Sequence, residues 1–385
     1  MKERGLSFWE ASATIMGAGV GGGIMAVPFL ASRSGYLSFV AILLLAYGLN
    51  LLIHLMLVEV LFRHGDNVQL VELIRTYVFR GAVGAVLIWL FFLILVLAFI
   101  SSLTAYISGA GEILASLTGL PPLAARLVVY AMAAGVVFFG LKMVGIAEKL
   151  SLYGIGILMA VLVIASFRVP AGLRPLLAGG GREILALYGM VMYSLFAFFA
   201  VPQAVQGLAG DKTRTIRAVV TGLGLNCLLV FLLTTIAMAV SREVTEVAII
   251  GIGRAIGPTA QVAGSLFILL AMLTTYWSVS LALADMIGER TGIQRRFSWL
   301  IATGPTLVLI VVGRLDFLDY LKIAGGATAL MVVLITLPLY INARKLGPVS
   351  SPSWTLGAWG RPAVLAVLFV MVVLVAVGSL LGVGM

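Results

Sequence analysis

The sequence contains one cysteine, Cys227, and two histidines. A lone thiol inside an apolar run excludes an intrachain disulfide framework, and no CxxC pair is present to hold zinc or run thiol redox chemistry. There is no HExxH, no GxSxG and no P-loop, so the common hydrolytic and phosphate-handling constellations are missing. An intramembrane enzyme would need paired carboxylates or a metal-ligand set in mid-helix, and neither is visible; no cofactor motif is present either. Charge is scarce as well: 10% of the 385 residues are charged and 62% are hydrophobic, against about 45 to 50% in soluble domains. A soluble fold is excluded. The formal charge of +10 is not a nucleic-acid footprint, because the basic residues stand singly or in small groups between apolar runs, as membrane orientation requires.

Apolar runs of roughly 20 residues recur along the whole chain, which predicts an all-α integral membrane protein with eleven transmembrane helices. They fall near 6–33, 35–62, 81–115, 123–141, 146–167, 184–208, 214–240, 257–288, 296–313, 318–341 and 362–383. The first run follows Lys2 and Arg4 as a signal peptide would, but it carries five glycines, continues through Pro28 and has no AxA site, so it reads as a retained helix. With the N-terminus in the cytoplasm, sixteen of the 25 lysines and arginines fall inside, which favours that orientation and puts Met385 outside. The expected location is a cell membrane, plasma or inner, with the bilayer and a small solute as partners and no obligate protein partner evident.

Three short matches recur in order. Ala26, Val27 and Pro28 return as Ala200, Val201 and Pro202; Gly48, Leu49 and Asn50 return as Gly224, Leu225 and Asn226; VQLV at Val68 returns as VTEV at Val244. The offsets are nearly constant, which indicates a duplicated unit. Five helices per unit is an odd number, so the second copy must be inverted in the membrane. The chain then forms a single membrane transport domain, 1–385, with repeat A at about 6–167, repeat B at about 184–341 and an extra helix at about 362–383. VQLVELIRTYVF and VTEVAIIGIGRAI become paired short helices on opposite sides.

The first helix of each unit is the least able to stay helical. Gly17 to Gly23 holds five glycines in seven residues, each about 1 kcal/mol less favourable than alanine, with Pro28 following. In the sixth helix Pro202 follows SLFAFFAV, a weaker signal. Broken helices in corresponding positions point to a mid-membrane substrate site, since backbone groups freed in hydrocarbon need a ligand, an ion or another polar partner.

GAGVGGGIMAVP, Gly17 to Pro28, resembles the first-helix signature of the aromatic and hydroxy amino acid permeases, with Gly17, Gly21, Gly23 and Pro28 in place. LTTYWSVSLALAD, Leu273 to Asp285, resembles their eighth helix, and VPQ at Val201 with VTEVAIIGIG at Val244 is similar to related bacterial and archaeal amino acid permeases. The resemblance covers about 10–285 and implies the amino acid, polyamine and organocation superfamily, a LeuT-like fold of two inverted five-helix repeats with helices one and six broken, and cation-coupled symport of a neutral amino acid by alternating access. Where that family usually has glycine at the sixth-helix break, Phe196, Ala197, Phe198 and Phe199 stand here. Their bulk predicts a narrowed pocket and small or medium neutral substrates.

An amino acid presents a carboxylate and an ammonium group, and broken helices supply N-H donors for one and carbonyls for the other. The expected substrate-binding residues are Gly17, Ala18, Gly19, Gly21, Gly22 and Gly23 of the first break, Ser194, Phe196, Phe198 and Phe199 of the sixth, and Ser102 with Tyr106, which share a helix face at four-residue spacing. A coupling sodium ion would sit between carbonyls around Met16 and Gly19 and the hydroxyls of Thr274, Thr275 and Ser278. Proton coupling stays open through His54 or Asp285, the latter also a gate candidate, although Asp285 lies close enough to Glu289 and Arg290 for an interfacial ion pair. Glu59 and Glu112 sit near helix ends, where ion pairing is the expectation, and Asn50 with Asn226 are either paired helix contacts or part of the site. The lysine that some relatives use in the fifth helix as a surrogate cation has no counterpart, because Lys149 lies at the inner end. Two other functions remain open: a permease for a polyamine or another organocation, which would place a carboxylate in the site, and a transporter-like sensor or channel.

Overall fold

The computed structural model describes residues 5–382 apart from 22, 66–67, 171, 173–175, 210, 242, 246, 314–319, 321–334 and 353. Every described element is helical. The first apolar run is two helices, α1 (Phe8–Val20) and α2 (Gly23–Ser34), bent by 54° at the glycine run. Ser7 and Glu10 close a reciprocal capping box at the start of α1. The chain continues through α3 (Tyr36–His64), the short α4 (Leu70–Tyr77), α5 (Gly81–Thr118), α6 (Pro122–Phe138) and α7 (Leu141–Ser166). The sixth apolar run is also interrupted: α8 (Gly181–Ser194) stops, Phe198–Ala200 forms one 3-10 turn, and α9 (Val201–Gly207) resumes. Then come α10 (Lys212–Val240), the short α11 (Ala248–Ile256), α12 (Pro258–Thr291), α13 (Arg295–Val312), a helical stretch at 335–346 and a C-terminal helix, Pro362–Gly382.

Seven described stretches, with α8 through α9 counted as one, are long and apolar enough to cross a membrane, and the bent pair α1 and α2 makes an eighth span if counted as one. Most of the expected tenth helix, 318–341, lies outside the described residues. Both breaks and both short helices expected from the sequence are present, as α1/α2, α8/α9, α4 and α11.

Burial explains the arrangement. On α5, Val83, Val86, Leu90, Leu93 and Leu97 are exposed at helical spacing, an apolar stripe suited to lipid. The opposite face, including Phe99, Ser102 and Tyr106, is buried. Helix α12 is buried along most of its length and packs on α1, α5 and α7, while α1 also packs on α10. The broken first helix therefore stands at the centre, walled by α7, α10 and α12. The C-terminal helix packs along α8, where the Tyr188 hydroxyl donates to the Met371 carbonyl at 3.0 Å.

At the end of α3, Glu59 is fully buried and ties three segments together. It pairs with Arg63 at 2.8 Å, accepts from the Tyr340 hydroxyl at 2.9 Å and accepts from the Leu356 amide at 2.8 Å. Glu112 pairs with Arg126 at 2.9 Å, again as expected near a helix end. Removing one partner of a buried ion pair strands the other, at a cost of about 3 to 5 kcal/mol. Glu59→Ala should lower the thermal unfolding midpoint of the purified protein in detergent far more than Glu112→Ala, whose pair is partly exposed. Equal shifts would show that Glu59 is not such a tie.

Candidate substrate site

The two breaks meet. Between them lies a cavity of about 50 Å³, walled by Ala18, Gly19, Gly21 and Gly23 from the first break and by Phe196, Ala197, Phe199 and Ala200 from the second. Helix α5 contributes Phe99, Ser102 and Tyr106, α8 contributes Tyr193, and α12 contributes Thr275, Ser278 and Val279. Of the residues singled out from sequence, Gly17, Ser194 and Phe198 stand behind these walls and Gly22 lies outside the described residues.

The glycines are required by close approach as well as by the break. A β-carbon at Gly21 would lie 2.9 Å from the Tyr106 hydroxyl, and one at Gly23 would lie 2.9 Å from a ring carbon of Tyr193. At Gly19 it would collide with the Asn226 amide. The same Asn226 amide donates to the Ser194 carbonyl at 2.8 Å, so one side chain fills the gap between the two broken helices. Asn50 donates to the Met192 carbonyl at 3.3 Å. The two asparagines that recur in the sequence thus converge on the end of α8.

His54 is fully buried beside the second break. Its Nδ1 lies 2.6 Å from the Asn50 carbonyl, and its Nε2 accepts the Ala197 N-H at 3.0 Å. An amide donor at Nε2 requires that nitrogen to carry no proton, so Nδ1-H is the donor to Asn50 and the ring is neutral. In this geometry His54 serves the freed backbone of the break. Asp285 lies about two turns beyond Ser278 on α12, half-buried, and is not a wall of the cavity.

The aromatic residues form one cluster. Phe199 stands edge-on to Phe99 with centroids 4.6 Å apart, Phe196 packs on Phe198 at 5.7 Å and on Phe199 at 5.8 Å, and His54 touches both Phe196 and Phe198. Phe99 was missed in the sequence, although it falls three and seven residues before Ser102 and Tyr106 and so shares their face.

On the other side of α1 the hydroxyls of α12 reach first-helix carbonyls. Thr275 donates to the Gly17 carbonyl at 2.8 Å and Ser278 approaches the Thr14 carbonyl at 3.3 Å. The engaged carbonyls are thus Thr14 and Gly17 rather than Met16 and Gly19. Thr274 donates to Ala271 within its own helix, its β-carbon facing Gly17. Glu148, which sequence reasoning did not single out, arrives from α7 with no exposed surface and accepts a hydrogen bond from Ser278. The available signal was its place on the buried stripe Val144, Ser151, Ile155 and Leu162 of α7.

His54→Leu strands the Ala197 N-H in an apolar setting and should cost about 1 to 3 kcal/mol. His54→Gln retains an acceptor and should lose less. Thermal unfolding of both variants in detergent checks this, and equal losses would mean that the imidazole acts only by filling space.

Solved structures share the fold at low identity. A nucleobase-cation-symport-1 family transporter, Mhp1, in a closed conformation with bromovinylhydantoin bound, matches with TM-score 0.63 and 15% identity, over 98% of this chain and 91% of that one. A manganese transporter of Eremococcus coleocola matches with TM-score 0.67 and 16% identity over 97% and 85%. MhsT in complex with L-phenylalanine matches with TM-score 0.56 and 15% identity over 99% and 100%. These likenesses are to transporters of the LeuT-like fold. No curated protein matches the sequence. The profile of the tryptophan/tyrosine permeases, however, matches residues 4–378. The chain therefore belongs to the tryptophan/tyrosine permease family, whose members are amino acid permeases, secondary transporters and not enzymes.

Proposed function

We propose that this protein carries tryptophan or tyrosine across the membrane by alternating access, together with a monovalent cation. The carrying observation is the cavity where the two breaks meet, with polar backbone on one side and phenyl rings on the other. The substrate carboxylate lies toward the N-H groups at the start of α2, where the helix dipole favours an anion. The ammonium lies toward carbonyls of the Gly17 to Gly19 turn, and the aromatic side chain lies against Phe99, Phe196 and Phe199. None of the cavity walls carries a charge, as suits a zwitterion with a neutral side chain; a polyamine would call for a carboxylate there.

This reading replaces the small substrates expected from phenylalanine bulk. Family membership argues for an aromatic substrate, and flat rings make favourable edge and offset contacts with another ring, worth about 0.5 to 1.5 kcal/mol per pair. A cavity of about 50 Å³ lies far below the roughly 300 Å³ at which small-molecule pockets begin, so binding requires the phenylalanine side chains to turn aside.

The architecture that goes with this function is eleven spans: two inverted repeats, about 6–167 and about 184–341, and the extra helix at about 362–383. The N-terminus is cytoplasmic on the lysine and arginine bias. Coupling is by sodium held between the Thr14 and Gly17 carbonyls and the hydroxyls of Thr275 and Ser278.

Counterflow of labelled tryptophan in proteoliposomes, with unlabelled tryptophan, tyrosine, alanine, serine and leucine as competitors, tests the substrate. Tryptophan and tyrosine should compete and alanine should not; competition by alanine with none by tryptophan would restore the small-substrate expectation. Phe199→Ala should weaken tryptophan binding roughly 2- to 13-fold, the loss of one aromatic contact. Gly21→Leu, which drives a side chain into Tyr106, should abolish uptake in a protein that remains folded, and normal uptake would reject the placement of substrate at the first break.

A further inference from the structure

A second cavity lies away from the substrate site. It is an open cleft of about 370 Å³ where α4, the start of α5 and the end of α12 meet, on the side that the lysine and arginine bias places in the cytoplasm. That volume falls within the roughly 300 to 1,000 Å³ of small-molecule pockets. Arg75, Arg80 and Arg290 wall it beside Phe79, Ile88 and Trp89, and no acidic side chain among the described residues does. The positive charge is only partly answered. Arg75 donates to Glu72 at 2.7 Å, while Glu289, which precedes Arg290, accepts the Gln69 amide at 2.7 Å. Arg80 is exposed and makes no ion pair among the described residues. Arg290 lies over the Trp89 ring at 4.3 Å, and its Nε has no hydrogen-bond partner among the described residues. Arginines that only orient a membrane protein are solvated singly; these three converge on one concave space, and an indole holds one of them in place.

We propose that this cleft binds the phosphate headgroup of an anionic phospholipid. Guanidinium groups present paired N-H donors that match phosphate oxygens, and basic pockets between spans on the cytoplasmic side suit such headgroups. The rest of the cleft fits the rest of the lipid. Ile88 and Trp89 lead onto the exposed stripe of Val83, Val86, Leu90 and Leu93 on α5, along which acyl chains lie. Trp89 is half-exposed, as a ring at the level of the headgroups should be. A free phosphate would engage the arginines but leave the stripe unused. With a headgroup bound, α4, α5 and α12 are joined at one end. Arg290 stands about three turns along α12 from Ser278, so the lipid steadies a helix that also walls the substrate cavity.

The test reads binding, not transport, so it stands apart from the function proposed above. Purified full-length protein in dodecyl maltoside is titrated with dioleoylphosphatidylglycerol or dioleoylphosphatidylcholine, with and without sodium phosphate, and the lipid retained per protein is counted by native mass spectrometry. The unmodified protein should retain a single phosphatidylglycerol in preference to phosphatidylcholine, and inorganic phosphate should not displace it. Arg80→Gln and Arg290→Gln should each weaken phosphatidylglycerol about 5-fold, and together about 30-fold. Arg290→Lys, which keeps the charge but loses the planar fork, should fall between Arg290→Gln and the unmodified protein. Arg217→Gln combined with Lys345→Gln removes two exposed charges from the same side of the membrane and should leave retention unchanged. If the double cleft variant does not fold, Arg80→Gln decides alone, since that side chain is exposed. Equal retention of the two lipids overturns the proposal, as do equal losses in the cleft and control variants, which would mean diffuse surface charge. Displacement of the lipid by inorganic phosphate also overturns it and makes the cleft a site for free anions.

Discussion

A backbone that leaves the helix inside hydrocarbon must find hydrogen-bond partners from the protein, and this structure is organised around that requirement. Two breaks release N-H and C=O groups at the centre of the molecule, and a polar side chain from a neighbouring helix answers each of several of them. His54 takes the Ala197 amide, Asn226 serves the Ser194 carbonyl, Asn50 serves the Met192 carbonyl, and Thr275 serves the Gly17 carbonyl. The buried polar residues of α3, α10 and α12 are thus placed by what the breaks need.

That requirement also dictates the glycines. Partners that reach a freed backbone group must come close, and the short distances from Gly19, Gly21 and Gly23 to Asn226, Tyr106 and Tyr193 leave no room for a β-carbon. The break and the close packing are therefore one feature. A residue that restored helix propensity here would also push away the groups that make the non-helical backbone tolerable.

Much of this was legible in the sequence, and what was hidden has physical reasons. Apolar run length located the helices, and the density of glycines between Gly17 and Gly23 located the first break, because both are local properties of the chain. The second break, without glycine, was readable only through Pro202 and its repeat partner Pro28. Ser102 and Tyr106 were readable as a pair because helical spacing puts them on one face; Phe99 obeys the same spacing but looked like one more apolar residue in a lipid-facing run. The contacts of His54 and Glu148 were out of reach of the sequence for a shared reason. Their roles depend on atoms far away in sequence, an amide at Ala197 and a hydroxyl at Ser278, that no local pattern announces. The size argument counted phenylalanine volume and left out that rings turn about two torsions and stack on other rings.

The amide of Asn226 gives the two breaks a mechanical link. It comes from α10, stands against Gly19 of the first break and holds the Ser194 carbonyl at the second. One side chain is thus wedged into one broken helix and tethered to the other, so a shift of either half-helix is passed to its counterpart, and the two breaks move as a pair.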